Sequence, residues 1–271
     1  MKNLTLGKAV AYPDRYDPAL LQPVARSINR EEIKISGDAL PFCGVDIWNA
    51  YEVSWLTPKH KPQIAILECR VPVSSPNIIE SKSFKLYLNS LNQTVFACTE
   101  SLIDTITNDL SRCANAGVTV SLFTPERFDA FQVKTLEGIV LDDIDATFDF
   151  APQIQTEALT TAKSDVTETL VSHLLKSNCL ITNQPDWGSV LIRYQGKQID
   201  RAGLLKYIVS FRQHNEFHEQ CVERIFTDIM THCNPDKLTV YARYTRRGGL
   251  DINPFRSNFE QPYENLRLAR Q

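Results

Sequence analysis

The chain of 271 residues lacks several features that mark common protein classes. No apolar run approaches the roughly 20 residues that span a bilayer. The formal charge of −3 gives no electrostatic reason to expect a nucleic-acid or membrane partner. Residues 1–8 lack the apolar core of a signal peptide. We therefore expect a cytoplasmic protein of one large or two modest domains.

Glycine is also scarce, with ten residues in all. No G-x-G-x-x-G run occurs, so a Rossmann-type dinucleotide site is not expected. The single adjacent pair, Gly248 and Gly249, follows Arg246 and Arg247. Two guanidinium groups followed by glycines that can adopt turn conformations are suited to binding phosphate. On the residues alone, a solvated basic loop at the end of a strand is the commoner explanation.

The seven cysteines do not form a disulfide framework, because they are odd in number, scattered and without a C-x-x-C pair. Cys179 alone lies in a polar, turn-prone stretch, and Asp186 follows on the same segment. A thiolate that attacks an electrophilic carbon, with a nearby acid to handle the proton, would use such a pair. The alternatives are a cysteine that only packs and an aspartate that only begins a turn before Trp187 and Gly188.

A metal site has to be considered at His214 and His218, which are four residues apart. The order His-Asn-Glu-Phe-His puts the glutamate in the wrong place for an H-E-x-x-H site. No nearby cysteine or third ligand completes a tetrahedral set. We expect no metal here.

Hydrophobic periodicity divides the chain into two halves of similar plan. In the first half it predicts a strand, two helices and a strand, at residues 63–71, 84–92, 99–114 and 118–123. In the second half the same order recurs at residues 189–194, 201–213, 218–233 and 238–244. We therefore predict an α+β protein of two modules, with antiparallel sheets and paired helices in each.

An internal duplication would explain this repeated plan. Lys85 and Phe96 have the same separation as Lys206 and Phe217. Residues 142–163, rich in Asp, Thr and Gln, are interpreted as partly a crossing strand and partly a linker. The predicted domains are residues 1–150 and 151–271. Position 98, a cysteine, aligns roughly with Glu219, which suggests that the first module has lost its own pocket.

Several motifs together resemble the NADPH-dependent 7-cyano-7-deazaguanine reductases of queuosine biosynthesis, in their long, two-module form. These motifs are the E-S-K-S-F-K run at 80–85, the Cys179/Asp186 segment, His218-Glu219, the R-R-G-G-L-D run at 246–251, and the L-P-F and D-I-W runs at 40–42 and 46–48. The resemblance covers nearly the whole chain, without a departure at any motif position.

This resemblance implies two tandem tunnelling-fold modules and a homodimer formed through their sheets. It implies an oxidoreductase that reduces the nitrile of 7-cyano-7-deazaguanine (preQ0) to the primary amine of 7-aminomethyl-7-deazaguanine (preQ1), with two equivalents of NADPH. The reaction passes through a covalent cysteine thioimide and serves queuosine modification of tRNA. The partner is then a small-molecule substrate, and neither nucleic acid nor a membrane is expected to bind.

The resemblance also assigns residues. Cys179 is the nucleophile, and Asp186 is the acid, which partial burial against Pro185 and Trp187 would suit. Substrate binding falls to Ile79, Glu80, Ser81, His218 and Glu219. NADPH binding falls to Ser81, Lys82, Arg247 and Gly248. Glu80 precedes a predicted helical run and Glu219 falls in the first turn of a predicted helix, so helix electrostatics would also explain them.

Two other functions remain open at this point. One is a zinc-dependent tunnelling-fold cyclohydrolase acting on a guanine nucleotide or a pterin, which would not need Lys82 or Arg247. The other is a non-catalytic purine-binding or scaffolding protein. Because Glu80 and Cys179 lie in different halves, the catalytic hypothesis further predicts that the site is assembled across the two modules.

Overall fold

The computed structural model describes residues 13–35, 39–148 and 153–271. Residues 1–8, discussed above for a signal peptide, lie outside this part. So does the predicted domain boundary between residues 150 and 151. No helix in the described ranges is both long and apolar enough to cross a membrane.

Five helices and thirteen strands make up the described structure. The helices are α1 (Arg26–Glu32), α2 (Ser81–Ser90), α3 (Thr99–Ala114), α4 (Arg201–Ser210) and α5 (His218–Cys233). The strands are β1 (Pro23–Ala25), β2 (Cys43–Leu56), β3 (Pro62–Pro72), β4 (Asn77–Ile79), β5 (Thr119–Phe123), β6 (Val133–Lys134), β7 (Ile139–Val140), β8 (Thr161–Ser172), β9 (Lys176–Asn178), β10 (Pro185–Ile199), β11 (Lys237–Tyr244), β12 (Leu250–Ser257) and β13 (Arg267–Leu268).

One nine-stranded sheet runs through both halves of the chain. Its order is β5-β3-β2-β12-β11-β10-β8-β7, with β9 paired to β10 off this path. All neighbours are antiparallel except β7 and β8. The α+β prediction with antiparallel-rich sheets and paired helices is confirmed, as a tandem tunnelling fold.

The halves join where β12 pairs with β2, from Leu250 opposite Ala50 to Ser257 opposite Cys43. Gly44 has φ +154°, and a Cβ at this position would lie 2.0 Å from the Phe255 carbonyl oxygen. Only glycine therefore permits so close an approach of the two strands.

Both faces of the sheet are covered, because side chains alternate along each strand. On one face, Trp48 packs with α2 and α3, and Val240 packs with α4 and α5. On the other face, Ile47 and Tyr241 form a smaller cluster with Leu266 and Leu268. The helices α2, α3, α4 and α5 therefore lie on the same face of the sheet.

Helices were predicted better than strands. The bounds of α3 and α5 are as predicted, while α2 begins three residues earlier, at Ser81. The predicted 201–213 helix ends at Ser210 and continues as a short 3₁₀ turn. The strands β2, β8 and β12 were missed. In the described parts of 142–163, a 3₁₀ turn precedes β8, which begins at Thr161, so the strand within this segment is the start of β8.

Pro254 explains why β12 was not recognised. Proline cannot donate to a sheet ladder and is confined to edges and irregular positions. Here β12 pairs with β11 only over Phe255–Ser257. Pro254 lies just beyond the last of these pairs, where no donor to β11 is required.

The structure supports the internal duplication. Both α2 and α4 contain ten residues, and both α3 and α5 contain sixteen. The Tyr87 hydroxyl donates to Asp109 at 2.8 Å, and the Tyr207 hydroxyl donates to Asp228 at 2.7 Å. The same buried tyrosine–aspartate pair thus joins the helices of each module.

The ends of α3 and α5 correct the predicted alignment of Cys98 with Glu219. Asn115 and Asn234 end α3 and α5 in the same left-handed conformation. With these ends superposed, the residue equivalent to Glu219 is Glu100, not Cys98. The first module therefore retains a carboxylate at this position, although Glu100 is exposed.

A cluster of buried charges crosses the join between the halves. Arg256 of β12 lies 2.8 Å from Asp46 of β2 and 2.9 Å from Glu223 of α5. Arg26 and Arg30 of α1 pair with Asp46 and Glu223, respectively. Burial would raise the pKa of Asp46, but Arg256 and Arg26 hold it below its ordinary value. These five charges therefore hold α1, β2, α5 and β12 together.

We expect Asp46→Asn to lower the free energy of unfolding by about 3–5 kcal/mol, because it leaves buried arginines without their partner. Asp165→Asn is the control, since its ion pair with Lys197 is exposed and should contribute at most about 1 kcal/mol. Urea unfolding of both variants measures the difference. Equal, small losses would mean that the buried cluster does not hold the halves together.

Candidate active site

Cys179 lies at the tip of the hairpin formed by β9 and β10. Its N–H donates to the Gln184 carbonyl at 2.8 Å, and its carbonyl accepts from the Asn183 N–H at 3.0 Å. Asn183 closes the turn with φ +58°, a conformation that asparagine tolerates. The hairpin thus presents a half-buried thiol on a hydrogen-bonded turn.

The surroundings of Cys179 favour the thiolate. Burial alone would raise the pKa of the thiol. Hydrogen bonds from the Thr182 hydroxyl and N–H, the Ile181 N–H and the Arg247 guanidinium outweigh burial and lower the pKa below its ordinary value. A lowered thiol pKa together with partial exposure is typical of reactive cysteines.

Asp186 is the second residue of the long strand β10 and is 3% exposed. Its Oδ1 lies 2.9 Å from Arg247 Nη2 and 3.5 Å from His218 Nε2. Arg247 also donates to Gln184 at 2.7 Å. The arginine therefore connects the carboxyl group of Asp186 to the turn that carries Cys179.

The prediction that Pro185 and Trp187 partly bury Asp186 was wrong. Pro185 and Trp187 are exposed, and Trp187 retains 40% of its accessible surface. Successive side chains of a strand point to opposite faces, so the residues next to Asp186 cannot shield it. The nearby His218 and Arg247 come instead from distant positions in the sequence.

His218 and Glu219 are the first two residues of α5, and His218 lies beside Asp186. The His218 ring packs edge-on against Tyr244, with ring centroids 4.2 Å apart. Glu219 is 3% exposed, and burial together with the charge of Asp46 raises its pKa to about 7, against the opposing effects of His218 and Arg26. This carboxyl group thus changes charge near neutral pH.

Ile79 and Glu80 lead from β4 into α2, with Ser81 as the first residue of the helix. The two oxygens of Glu80 accept from the N–H groups of Lys82 and Ser83, at 2.9 and 2.6 Å. The helix-capping explanation for Glu80 is therefore confirmed. Each carboxylate oxygen has a second lone pair, so Glu80 still has acceptor capacity for a ligand.

Lys85 shows that the two halves meet at this site. Burial and Arg247 lower its pKa, while Glu80, Asp186 and Cys179 act in the opposite direction. A Cβ built on Gly248 would lie 3.2 Å from Lys85 Cδ. The first-half helix α2 thus contacts the turn that carries Arg247 and Gly248.

Lys85 was not assigned a site role from the sequence. The signal was present, because Lys85 follows Ser81 by four residues and so shares its face of α2. Together with Glu52, Asn89 and Gly248 it lines a polar cavity of about 230 Å³. This cavity opens beside the turn that carries Arg247.

The four residues expected to bind NADPH lie on two elements in contact. Ser81 and Lys82 begin α2, while Arg247 and Gly248 lie between β11 and β12. Since Glu80 already occupies the N–H groups of Lys82 and Ser83, a phosphate here would depend on the cationic side chains Lys82, Lys85 and Arg247. The chemistry of this set fits a phosphate-bearing cofactor.

His214 and His218 do not converge. His214 Nε2 lies 3.2 Å from Glu216, whereas His218 faces Asp186. Within the described ranges, no group of three or more His, Cys, Asp or Glu side chains is arranged to hold a metal ion.

Two family models match the chain. One, described as "Nitrile reductase, 7-cyano-7-deazaguanine-reductase N-term", matches residues 12–122, and the other, described as "QueF-like protein", matches residues 185–263. The first match includes Glu80 and Lys82, and the second includes Asp186, Glu219 and Arg247. Cys179 lies in the interval between them.

A solved structure also resembles part of the chain. It is titled "Crystal structure of the archaeosine synthase QueF-Like in the apo form". The sequences are 19% identical, the match covers 36% of this chain and 98% of the other, and the TM-score is 0.31.

The contacts of Arg247 predict its effect on the nucleophile. Because the guanidinium helps to lower the thiol pKa, Arg247→Ala should move the pH midpoint of Cys179 alkylation upward and slow the reaction at neutral pH. The neighbouring Arg246→Ala is the matched control, since Arg246 lies over the Tyr51 ring instead. Iodoacetamide labelling of the Cys179 peptide, followed by mass spectrometry, gives both profiles. Identical profiles for the two variants would contradict the assigned contact.

Proposed function

We propose a reaction for this chain, which belongs to the QueF family of nitrile reductases. It reduces the nitrile of 7-cyano-7-deazaguanine to the primary amine of 7-aminomethyl-7-deazaguanine. NADPH is the reductant, and the reaction serves queuosine biosynthesis. The observation that carries the proposal is the thiol of Cys179, with its lowered pKa, joined through Arg247 to the buried carboxyl group of Asp186. Glu80 from the other half of the chain acts on Lys85 together with Asp186 and Cys179.

The first step would join Cys179 to the substrate. The thiolate adds to the nitrile carbon, one π bond of the nitrile breaks, and the nitrogen takes the proton of Asp186, which gives a thioimide. Asp186 is left as a carboxylate. Its new negative charge is compensated by Arg247 at 2.9 Å.

The cofactor, when bound, supplies hydride to the former nitrile carbon. Two hydrides and two protons convert the nitrile to the aminomethyl group, and the thiolate of Cys179 leaves between the two reductions. Lys82, Lys85 and Arg247 would hold the cofactor phosphates. The closed surroundings of Asp186 and Glu219 would exclude water, because a free imine would hydrolyse.

Two glutamates would recognise the heterocycle. The edge of a guanine-like base presents adjacent N–H donors, and an ionised carboxylate only accepts. Glu219 is buried at the N-terminus of α5, where the helix dipole favours its negative charge. Glu80 would accept with the lone pairs that the α2 amides leave free.

We further propose domains at residues 1–150 and 151–271, and a homodimer formed through the sheet edges. In the described structure, β5 has β3 as its only strand partner, so its outer edge is open to pairing. This proposal predicts a particle of twice the chain mass in light scattering.

The activity itself is the first test. The protein should oxidise two NADPH per molecule of 7-cyano-7-deazaguanine, and Cys179→Ala should abolish the reaction. Cys98→Ala is the control, because this exposed cysteine lies at the start of α3, outside the proposed site. Turnover without NADPH that depends on zinc would favour the cyclohydrolase instead.

The pKa of Glu219 predicts a pH dependence of substrate binding. Its carboxyl group is protonated below about pH 7, so the Kd should rise as the pH falls from 8 to 6. Glu219→Gln should bind roughly 10- to 100-fold more weakly at pH 8 and lose this dependence. Calorimetry in a Cys179→Ala background avoids covalent reaction. Glu100→Gln, the equivalent exposed position of the first module, should retain the profile of the parent protein.

A further inference from the structure

Three buried polar atoms lie on neighbouring strands at Asp186, namely Asp186 Oδ2, Ser177 Oγ and Tyr244 Oη. None has a hydrogen-bond partner of good geometry in the described part of the chain, although the Tyr244 hydroxyl interacts with the Ser177 hydroxyl and the Cys221 thiol. Leaving a buried polar atom without a partner is costly, more so for a charged group. Three such atoms on neighbouring strands therefore call for a shared explanation.

Strand register places the three side chains on one face. Asp186 of β10 lies directly opposite Ser177 of β9, and Gly188 lies opposite Tyr244 of β11. Residues two apart on a strand point to the same face, and directly opposite residues are neighbours. Ser177 and Tyr244 thus approach the Asp186 carboxyl group from the two strands that flank β10.

The ring of Tyr244 packs beside Gly188 and His218. A Cβ added to Gly188 would lie 3.1 and 3.3 Å from ring atoms Cδ1 and Cε1, so the absent side chain leaves room for the ring. The His218 ring also packs against it edge-on, at 4.2 Å between centroids. Tyr244 is fully buried. Its hydroxyl group therefore has a fixed position in the core of the site.

The Tyr244 hydroxyl remains a proton donor throughout the working pH range. Burial, followed by Cys221 and Asp186, raises its pKa well above the ordinary value. The serine hydroxyl rotates freely and both donates and accepts. The hydroxyl groups of Ser177 and Tyr244 can thus supply the hydrogen-bond donors that Asp186 Oδ2 lacks.

We propose that Ser177 and Tyr244 are positioning residues for the catalytic acid, and that they hydrogen-bond Asp186 Oδ2 directly or through one enclosed water molecule. Arg247 and His218 face the other oxygen, Oδ1. With both oxygens held, the carboxyl plane is fixed relative to the Cys179 turn. This role rests on the proposed function, in which Asp186 protonates the nitrile nitrogen.

Tyr244→Phe removes only the hydroxyl group and keeps the ring beside Gly188 and His218. We expect it to lower kcat roughly 10- to 100-fold, the effect of losing one hydrogen bond to a charged group. The KM for the nitrile and the pH profile of Cys179 alkylation should be unchanged, because Glu219 and the nucleophile turn are untouched. Ser177→Ala should act in the same direction.

The matched control is Tyr207→Phe, which removes another buried tyrosine hydroxyl of the same module. Its partner is Asp228, which lies ten residues after His218 on α5. This variant should lose stability but keep its kcat. Unchanged kcat in both Tyr244→Phe and Ser177→Ala, or an equal loss in Tyr207→Phe, would overturn the assignment.

Crystal structures of the wild-type protein and Tyr244→Phe give a readout that does not depend on activity. A direct contact or one bridging water at Asp186 Oδ2, with a turned carboxyl plane in the variant, supports the proposal. Neither contact, or an unchanged plane, overturns it. If the wild-type protein fails to consume NADPH, the proposed function fails, while these structures still decide whether the two hydroxyls position Asp186.

Discussion

The buried cluster of Arg26, Arg30, Asp46, Glu223 and Arg256 is the constraint on which the rest of the structure depends. Each charge is acceptable in the interior only because an opposite charge lies next to it. The members come from α1 and β2 in one half and from α5 and β12 in the other. Shifting one half against the other would leave buried charges without their ion-pair partners.

The position of the active site follows from this docking. The cluster sets the register of β12 against β2, and the turn before β12 carries Arg247 and Gly248. It also holds α5, whose first residues are His218 and Glu219. The α2 residue Lys85 then contacts Gly248, and the site contains groups from both halves. The same cluster acts on chemistry, because the charge of Asp46 helps to raise the pKa of Glu219.

The sequence allowed much of this to be predicted, for physical reasons that differ by element. The periodicity of α3 and α5 is local, so their bounds were recoverable. The strand β12 depends on pairing with β2 across more than 200 residues of sequence and contains a proline, so no local pattern revealed it. The roles of Cys179, Asp186, Glu80 and Glu219 came from family motifs rather than from periodicity.

Long-range side-chain geometry was not predictable in the same way. Arg247 was expected to bind phosphate alone, yet it also contacts Asp186, Gln184 and Cys179. Trp187 was expected to cover Asp186 and instead lies on the opposite face of the strand. Tyr244 gave no sequence signal, because its importance arises from Gly188 and His218, which only the fold brings to its ring.

The most direct test of the account is the mass of the protein after mixing with 7-cyano-7-deazaguanine in the absence of NADPH. The account predicts an increase by one substrate mass, located on the Cys179 peptide and lost in Cys179→Ala. No adduct, or an adduct on another cysteine, would contradict the claim that the Cys179 thiolate adds covalently to a nitrile whose nitrogen Asp186 protonates.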